Sequence, residues 1–405
     1  MPWQRISRMV QEGSLYALLV LLPFSKAAVE IAFALLLASW LVERIQQGWS
    51  LSNWNSQASR LCMATLLLYL GICALSILTS SHPDLSLRGF IRKTLEYALL
   101  FVIVTDTATD TKVAKRALGL VMLSAFVVSL DALAQEVIGQ DPLRGHRLTV
   151  YDRMTGPYEN PIDLATYLMV VIPIVLASLP PASLRGKALR GGLALLVLGC
   201  LVRTESIGAW LGLLVGLGVL AVLAPRMRKP LVVYGLGFLL VGGFWSQVES
   251  RGIERSGIGM HDRVFMWQAA WHMITARPLL GHGLNTFMAN YLTYWVGGEQ
   301  QPRYAHNCFL QVAAETGVLG LAAFTGLLGA MGLAWWRALK VLRETKDHHL
   351  LVSLVPALVA FIAQSCYDTN FYALRQAALF WTLAGVATGL SLTALQRETH
   401  HARVA

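Results

Sequence analysis

The chain has 405 residues, of which 55% are hydrophobic and only 14% are charged, with a formal net charge of +10. Soluble domains carry roughly 25% charged residues, so this composition excludes a soluble globular protein and indicates an integral membrane protein. We expect residues 1–405 to form one integral membrane domain, with membrane lipids and no nucleic acid among its partners. Five cysteines without CxxC spacing predict packed thiols, with neither disulfides nor metal ligands.

Apolar segments divide the chain into about twelve candidate membrane-spanning helices, each of which needs about 20 apolar residues. A barrel pattern is absent from the sequence, so we predict an all-α polytopic fold. Arg5 and Arg8 would suit a signal peptide, but the second span follows at once and favours a retained signal anchor. In chain order the candidate spans are Ser14–Phe24, Val29–Leu41, Leu61–Ser80, Leu95–Thr105, Ala117–Ile138, Ile162–Leu179, Leu189–Val202, Trp210–Ala224, Leu231–Trp245, Phe309–Trp336, Leu350–Cys366 and Leu374–Leu395.

Basic residues in the short loops set the predicted orientation. With the amino terminus inside, the inner segments hold 19 of the 33 lysines and arginines, as the positive-inside rule requires. Residues 246–307 then form a large loop on the outer side, which is the periplasm in a Gram-negative cell. Of the 14 basic residues left outside, only Lys26 and Lys93 are lysines.

These outer arginines predict a phosphate ligand, because a planar guanidinium binds phosphate in a bidentate manner whereas lysine offers a point charge. The alternative is that they are interfacial side chains that reach the lipid headgroups. Their positions near span ends and in the two long outer loops favour the phosphate site. The set comprises Arg147, Arg153, Arg203, Arg263 and Arg303.

Acidic residues in the outer halves of the predicted spans indicate a polar cavity that opens outward, because charges in a membrane face a cavity or a partner. They are Glu30, Glu96, Asp131, Asp163, Glu205, Glu315 and Asp368. A proton-coupled transporter would instead place ionisable groups near the midplane, with broken helices in matching halves. Neither feature is clear in this sequence.

Within the main outer loop, Asp262 is a candidate cap for a helix from Arg263 to about Ala276, which Pro278 would end. A turn at Gly281 and Gly283 and a second short helix over Leu284–Trp295 are predicted to follow. The first helix should lie in the membrane interface. Its predicted apolar stripe consists of Val264, Trp267, Trp271 and Ile274.

His306 is the candidate general base. A lone histidine at a membrane interface is more often structural, but a histidine pKa near 6.5 suits proton abstraction at neutral pH. His306 also sits at a predicted helix start beside Asn307, downstream of an arginine-rich loop. Together with His261, His272 and His282, it matches no standard metal-ligand spacing, so we predict no metal site and no cofactor.

The run HNCFLQVAAETGVLG, from His306 to Gly320, resembles the signature of bacterial O-antigen ligases, in which His-Asn, nine residues and Gly-x-x-Gly follow one another. The segment from Asp262 to Phe287 is similar to the companion pattern of the wider O-antigen ligase and polymerase superfamily, and the GPYENP and TESIGAWLG segments extend the likeness. The family often carries arginine where this chain has Ile207. Either Arg203 supplies that charge or the role is absent.

The resemblance implies an enzyme at the outer face of the bacterial inner membrane with a fold similar to GT-C glycosyltransferases. Such an enzyme would move a glycan from undecaprenyl pyrophosphate to a sugar hydroxyl of the lipid A core, with inversion and without a metal ion. His306 would act as general base and Arg263 would stabilise the leaving group. The other four arginines of the set would hold the diphosphate, and Asn307 and Glu205 would support the site.

Three other functions remain open at this point. An O-antigen polymerase or a protein O-oligosaccharyltransferase shares the signature and differs in its acceptor. Polymerases often have two long outer loops of similar weight, whereas this chain has one dominant loop and the shorter Gly139–Asn160. A lipid transporter, from a different class, would move its substrate without turning it over.

Overall fold

The computed structural model describes residues 2–48, 54, 56–148, 153–177, 183–229, 231–232, 235, 237, 260–298, 300–301 and 304–404. This part of the chain is helical except for its connections and one isolated bridge between Gln140 and Arg147. The all-α polytopic prediction is confirmed. Its helices are α1 Pro2–Leu21, α2 Lys26–Gln47, α3 Gln57–Leu78, α4 Pro83–Gly89, α5 Glu96–Thr107, α6 Thr111–Ile138, α7 Pro161–Ala177, α8 Leu184–Arg203, α9 Ile207–Leu223, α10 Met260–Ala276, α11 Phe287–Asn290, α12 Cys308–Val341, α13 His348–Gln364 and α14 Leu374–Val404.

Four helices are long and apolar enough to cross a membrane, namely α3, α6, α12 and the Leu374–His400 part of α14. The apolar helices α7, α9 and α13 are shorter, at 17 residues each. The predicted span Leu95–Thr105 is part of a longer helical segment, because a π-helical turn at Phe90–Leu95 joins α4 to α5. Leu231–Trp245 lies almost entirely outside the described residues, so the number of twelve spans stays a prediction.

Helix α14 forms the centre of the bundle. In its most apolar stretch, 89% of the residues are buried inside the protein, against 28% for the corresponding stretch of α3. A helix that is apolar on all sides is typical of the centre of a bundle. Helices α5 and α12 pack on α14, α3 packs on α12, and α9 and α7 pack along α13. The amino-terminal helices α1 and α2 form a helical hairpin, with Ser25 capping α2.

An aromatic cluster fixes the short connection between α13 and α14. Phe371 lies in a turn of 3-10 helix at Asn370–Tyr372, and its ring centroid is 4.7 Å from that of Phe380 and 5.0 Å from that of Phe361. Both contacts are edge-to-face, the geometry that aromatic pairs prefer. The connection therefore has a rigid apolar base, and the polar residues just before the turn are held in place.

The helix predicted in the main loop is present, with one correction. Helix α10 spans Met260–Ala276, so Asp262 lies inside the helix and does not cap it. Of the predicted apolar stripe, Ile274 is buried and Trp271 is 59% exposed. The buried face holds small and flexible residues, Met266, Ala269, Ala270 and Met273, which cluster with residues of α12.

Leu284–Trp295 contains less helix than predicted, with only α11 and a 3-10 turn at Tyr291–Tyr294. The carboxyl end of α10 at Ala276 agrees with the prediction. The placement of α10 along α12 brings the main loop onto the start of the helix that follows His306.

Candidate functional site

Helix α12 is broken at Gly317, the first glycine of its Gly-x-x-Gly motif. Gly317 has φ 70° and ψ −176° inside the helix, and a positive φ combined with an extended ψ is essentially restricted to glycine. The loop after α10 fills the break, where the amide of Val318 donates to the carbonyl of Pro278 at 2.8 Å. A Cβ atom on Gly317 would lie 2.0 Å from the carbonyl oxygen of Leu279. The two glycine-containing parts of the sequence signature therefore pack backbone against backbone.

Glu315 joins the same two segments from inside. The amide of Gly283 donates to its carbonyl oxygen at 2.8 Å. The buried carboxylate of Glu315 accepts hydrogen bonds from the amide of Asn285 at 2.7 Å and the hydroxyl of Tyr372 at 2.9 Å. A buried carboxylate is tolerated when such donors satisfy it. Glu315 thus holds the loop on α12, and Gly281 allows that close approach, because its Cβ would lie 2.4 Å from the backbone carbonyl carbon of Glu315.

His306 and Asn307 form the start of α12. The Asn307 side chain accepts hydrogen bonds from the amides of Phe309 at 3.0 Å and Leu310 at 3.1 Å, so it caps the helix. His306 takes a left-handed conformation with φ 47°. Its side chain is 16% exposed, which leaves the imidazole within reach of a ligand, and Nδ1 lies 3.5 Å from Oδ1 of Asp368.

Asp368 connects His306 to Arg263. Its side chain is 3% exposed, and the same Oδ1 atom is 3.3 Å from Nη2 of Arg263. Nη1 of that arginine donates to the carbonyl of Tyr367, and the guanidinium stacks 4.2 Å from the centre of the Tyr367 ring. A buried ion pair needs such further contacts to offset desolvation. One carboxylate therefore brings the predicted base and the predicted phosphate-binding cation together.

This arrangement assigns different roles to the two imidazole nitrogens. A carboxylate beside Nδ1 favours a proton there and leaves Nε2 to accept a proton from a ligand. The same carboxylate would stabilise the imidazolium that results. The group is chemically competent for proton abstraction next to a fixed cation.

The TESIGAW segment borders the group from α9. A Cβ atom on Gly208 would lie 2.6 Å from Oδ2 of Asp368 and 2.9 Å from Cδ1 of Tyr367. The side-chain amide of Gln364 donates to the same Oδ2 atom at 3.4 Å. Glycine is required at position 208 because any larger side chain would displace the carboxylate.

Arg153, Arg203 and Glu205 lie together at the turn between α8 and α9. Nη2 of Arg203 pairs with Glu136, and its Nη1 is 4.0 Å from Oε1 of Glu205. Nε of Arg153 donates to the carbonyl of Thr204 at 2.8 Å. Within this second basic group, Arg203 engages two carboxylates. Ile207, at the position of the family's arginine, is exposed.

Arg147 is not part of either group. Arg147 is exposed and pairs through its backbone with Gln140. In the described part of the chain, no hydrogen bond or ion pair joins it to His306, Arg263 or Asp368. Arg303 lies outside the described residues, as does much of 246–307.

Among the histidines considered as metal ligands, His282 has a structural role. It is 2% exposed, and Nε2 lies 3.1 Å from the carbonyl oxygen of Met273. Burial lowers the pKa of His282, partly offset by that hydrogen bond. Over the described ranges, no three His, Cys, Asp or Glu side chains are grouped as metal ligands. The side chain of His261 lies outside those ranges.

The sequence did not single out Asp368 as part of the site. It was one of seven acidic residues assigned to the outer halves of spans, and its position in the chain, far from His306, gave no further indication. The available signal was topological, because Asp368 directly follows a span and lies at the level of the start of α12.

The fold and this group of residues define a polytopic membrane protein with a His–Asp–Arg cluster at one end of its bundle. Residues 192–325 match the Wzy_C family model, described as O-antigen ligase. This match contains His306–Gly320, so the resemblance expected from that segment is confirmed.

Two curated relatives agree with this family. A putative polysaccharide ligase of Rickettsia felis is 25% identical over 228 residues, 51% of this chain and 50% of that protein. The exopolysaccharide production protein ExoQ of Rhizobium meliloti is 25% identical over 319 residues, 71% of this chain and 68% of that protein. The match therefore spans half the length of the Rickettsia protein.

One solved structure, named "Structural coordination of polymerization and crosslinking by a peptidoglycan synthase complex", contains a chain that is similar in outline. The likeness has a TM-score of 0.42 at 19% identity and covers 82% of this chain and 97% of that chain. At this score it supports no functional inference.

Proposed function

We propose that the protein is a lipid-linked polysaccharide transferase that joins a finished glycan to a sugar hydroxyl. Its donor is a glycan on undecaprenyl pyrophosphate, its acceptor is the lipid A core, and its site faces the periplasm from the bacterial inner membrane. The observation that carries this proposal is Asp368, whose Oδ1 atom is 3.5 Å from the His306 imidazole and 3.3 Å from the Arg263 guanidinium.

The reaction is a single displacement. The acceptor hydroxyl oxygen attacks the anomeric carbon of the donor, and the bond from that carbon to the diphosphate oxygen breaks with inversion. Nε2 of His306 takes the hydroxyl proton, and Asp368 orients the ring through Nδ1 and stabilises the imidazolium. Undecaprenyl pyrophosphate leaves with the electron pair of the broken bond.

Arg263 is positioned to balance the negative charge that grows on the leaving diphosphate. Its contacts to Asp368 and Tyr367 hold the guanidinium in place before the ligand arrives. We place Arg153 and Arg203 along the path of the diphosphate, with Glu205 setting the position of Arg203. Arg147 and Arg303 complete the predicted set on the outer loops. Charge neutralisation by guanidinium groups would make the reaction independent of metal ions.

The test is ligation by the purified protein in lipid vesicles, supplied with a lipid-linked glycan and lipid A core. We expect a joined product on a gel, full activity in a chelator, and no product from His306→Ala at an unchanged amount of membrane-inserted protein. Loss of activity in chelator with rescue by magnesium would contradict the metal-independent step. Movement of the lipid across the vesicle without a joined product would indicate a transporter.

A polymerase is the second candidate, and the relationship to ExoQ is the specific observation in its favour, since that relative is named for exopolysaccharide production. A polymerase would lengthen the glycan on its lipid carrier, whereas a ligase transfers it to the lipid A core. The same vesicles without acceptor distinguish the two. A ladder of longer lipid-linked glycans would identify a polymerase, and unchanged donor would support the ligase.

A further inference from the structure

A cavity lies at the opposite end of the bundle from His306. It has a volume of about 670 Å³ and is bounded by the ends of α7, α8, α9 and α13 and by the connection after α12. Helices α12 and α13 establish the separation, because each has one end at the His306 group and the other at this cavity. The 17 residues of α13 span about 25 Å. The cavity is therefore separate from the proposed transfer site.

The charges that line this cavity are predominantly positive. Arg190, Arg226 and Arg343 come from three different elements, and Glu344 is the only acidic side chain among the described residues of the lining. Three guanidinium groups against one carboxylate leave two positive charges uncompensated. Over the described ranges none of the three arginines has an ion pair, whereas Arg263 has one and Arg203 has two. An anion is therefore the missing partner.

The rest of the lining is apolar, which restricts the kind of anion. Leu176, Leu223 and Val352 come from the ends of α7, α9 and α13 and lie beside the arginines in the same cavity. A small hydrated anion would leave these surfaces without a partner. A molecule with a charged head and an acyl chain satisfies both parts of the lining, because basic pockets between the ends of membrane helices bind phospholipid headgroups.

We propose that this cavity binds the phosphate headgroup and the upper acyl chain of an anionic phospholipid. Guanidinium groups suit the phosphate because they form bidentate contacts. The short loops at this end are those that the basic residues assign to the cytoplasm, where anionic lipids create a negative surface. The proposal does not depend on the transfer reaction at His306.

Basic residues are common in loops on this side, so the test needs a control with the same change in charge. Arg190→Gln, Arg226→Gln and Arg343→Gln together remove the cationic lining. Arg185, Lys187 and Arg337 provide the control, because they are exposed at the same end of the bundle and do not line the cavity. Their triple glutamine variant has the same net charge as the cavity variant.

Native mass spectrometry of the full chain in detergent, titrated with phosphatidylglycerol, measures binding directly. We expect a saturable bound lipid whose affinity falls about a hundredfold in the cavity variant and less than about threefold in the control. Equal binding of phosphatidylcholine, or an equal loss in the control variant, would overturn the proposal. Complete displacement of the lipid by inorganic phosphate would identify a free-anion site and overturn the assignment to a phospholipid.

A misfolded cavity variant would also bind less lipid, and two measurements separate these outcomes. The single variant Arg343→Gln changes an exposed side chain and should weaken lipid binding severalfold with an unaltered thermal unfolding transition. Unaltered lipid binding by that variant and by Arg190→Gln would overturn the proposal. Glycan transfer at His306 is the second measurement. A cavity variant that still transfers glycan is folded, so its weaker lipid binding is then due to the lost arginines.

Discussion

Asp368→Asn tests the link between the imidazole and the guanidinium most sharply. Asparagine keeps the shape of aspartate and its acceptor oxygen but removes the negative charge. In the wild type, Oδ1 of Asp368 is 3.5 Å from Nδ1 of His306. The variant therefore leaves the imidazole in place and withdraws the charge that stabilises its protonated form. We expect a lower kcat for glycan transfer and a small change in the KM for the acceptor.

The separation of the two atoms sets the magnitude. Two unit charges 3.5 Å apart interact by about 4–5 kcal/mol at an effective dielectric constant of about 20. That energy corresponds to a rate factor of about 10³ if it is present only in the transition state. Because the imidazole is 16% exposed, solvent reduces the effect, and we expect a loss of about 10²–10³-fold.

The assay is single-turnover ligation in vesicles, with donor and acceptor saturating and with protein quantity and unfolding temperature matched. Asp347→Asn is the control, because it removes a carboxylate that pairs with Lys115 at 2.9 Å at the other end of the bundle. It should transfer glycan at the wild-type rate. An Asp368→Asn rate within about threefold of wild type would show that this carboxylate does not assist the imidazole.

Three further predictions concern the framework of the site. Gly317→Ala should destabilise the protein by several kcal/mol, since its Cβ would clash with a carbonyl 2.0 Å away. Asn307→Ala should cost about 1 kcal/mol because α12 loses its cap, with a larger effect on transfer than on unfolding. Below about pH 6.5 the thermal stability should fall, because the lowered pKa of His282 favours its neutral form in the folded state.

Each of these has a control. Gly329→Ala adds a methyl group to the same helix where nothing lies within 4 Å, so equal destabilisation of both variants would refute the role of the break. Asn307→Asp retains the cap and should behave as wild type. For the histidine, the contribution to stability is present above the unfolded pKa and lost below it. An identical pH dependence in His282→Gln would show that other groups are responsible.

The helices and the signature could be predicted because each depends on local sequence. Apolar runs specify spans, Gly281 and Gly283 indicated a turn, and His306–Gly320 carried the signature. What could not be predicted was their contact. The break in α12 at Gly317 depends on a loop that is distant in the chain, and a sequence pattern gives no information on which backbone carbonyls are left to accept hydrogen bonds.

The cap and the buried face of α10 show a second limit. Asp262 is a good capping residue by type, but the helix already includes Met260. The tryptophans are the largest side chains of the helix, yet Met266 and Met273 fill the contact with α12. Tertiary packing selects small and flexible side chains where two helices lie close together, and large rings are left at the surface.

The central claim is that His306 removes the acceptor proton, and replacement by glycine tests it most directly. Glycine accepts the left-handed backbone of His306, at φ 47°, and leaves space for a free imidazole molecule. We predict that His306→Gly slows single-turnover ligation by about 10²–10⁴-fold and that added imidazole restores a substantial part of the rate. A wild-type rate without imidazole would contradict the account.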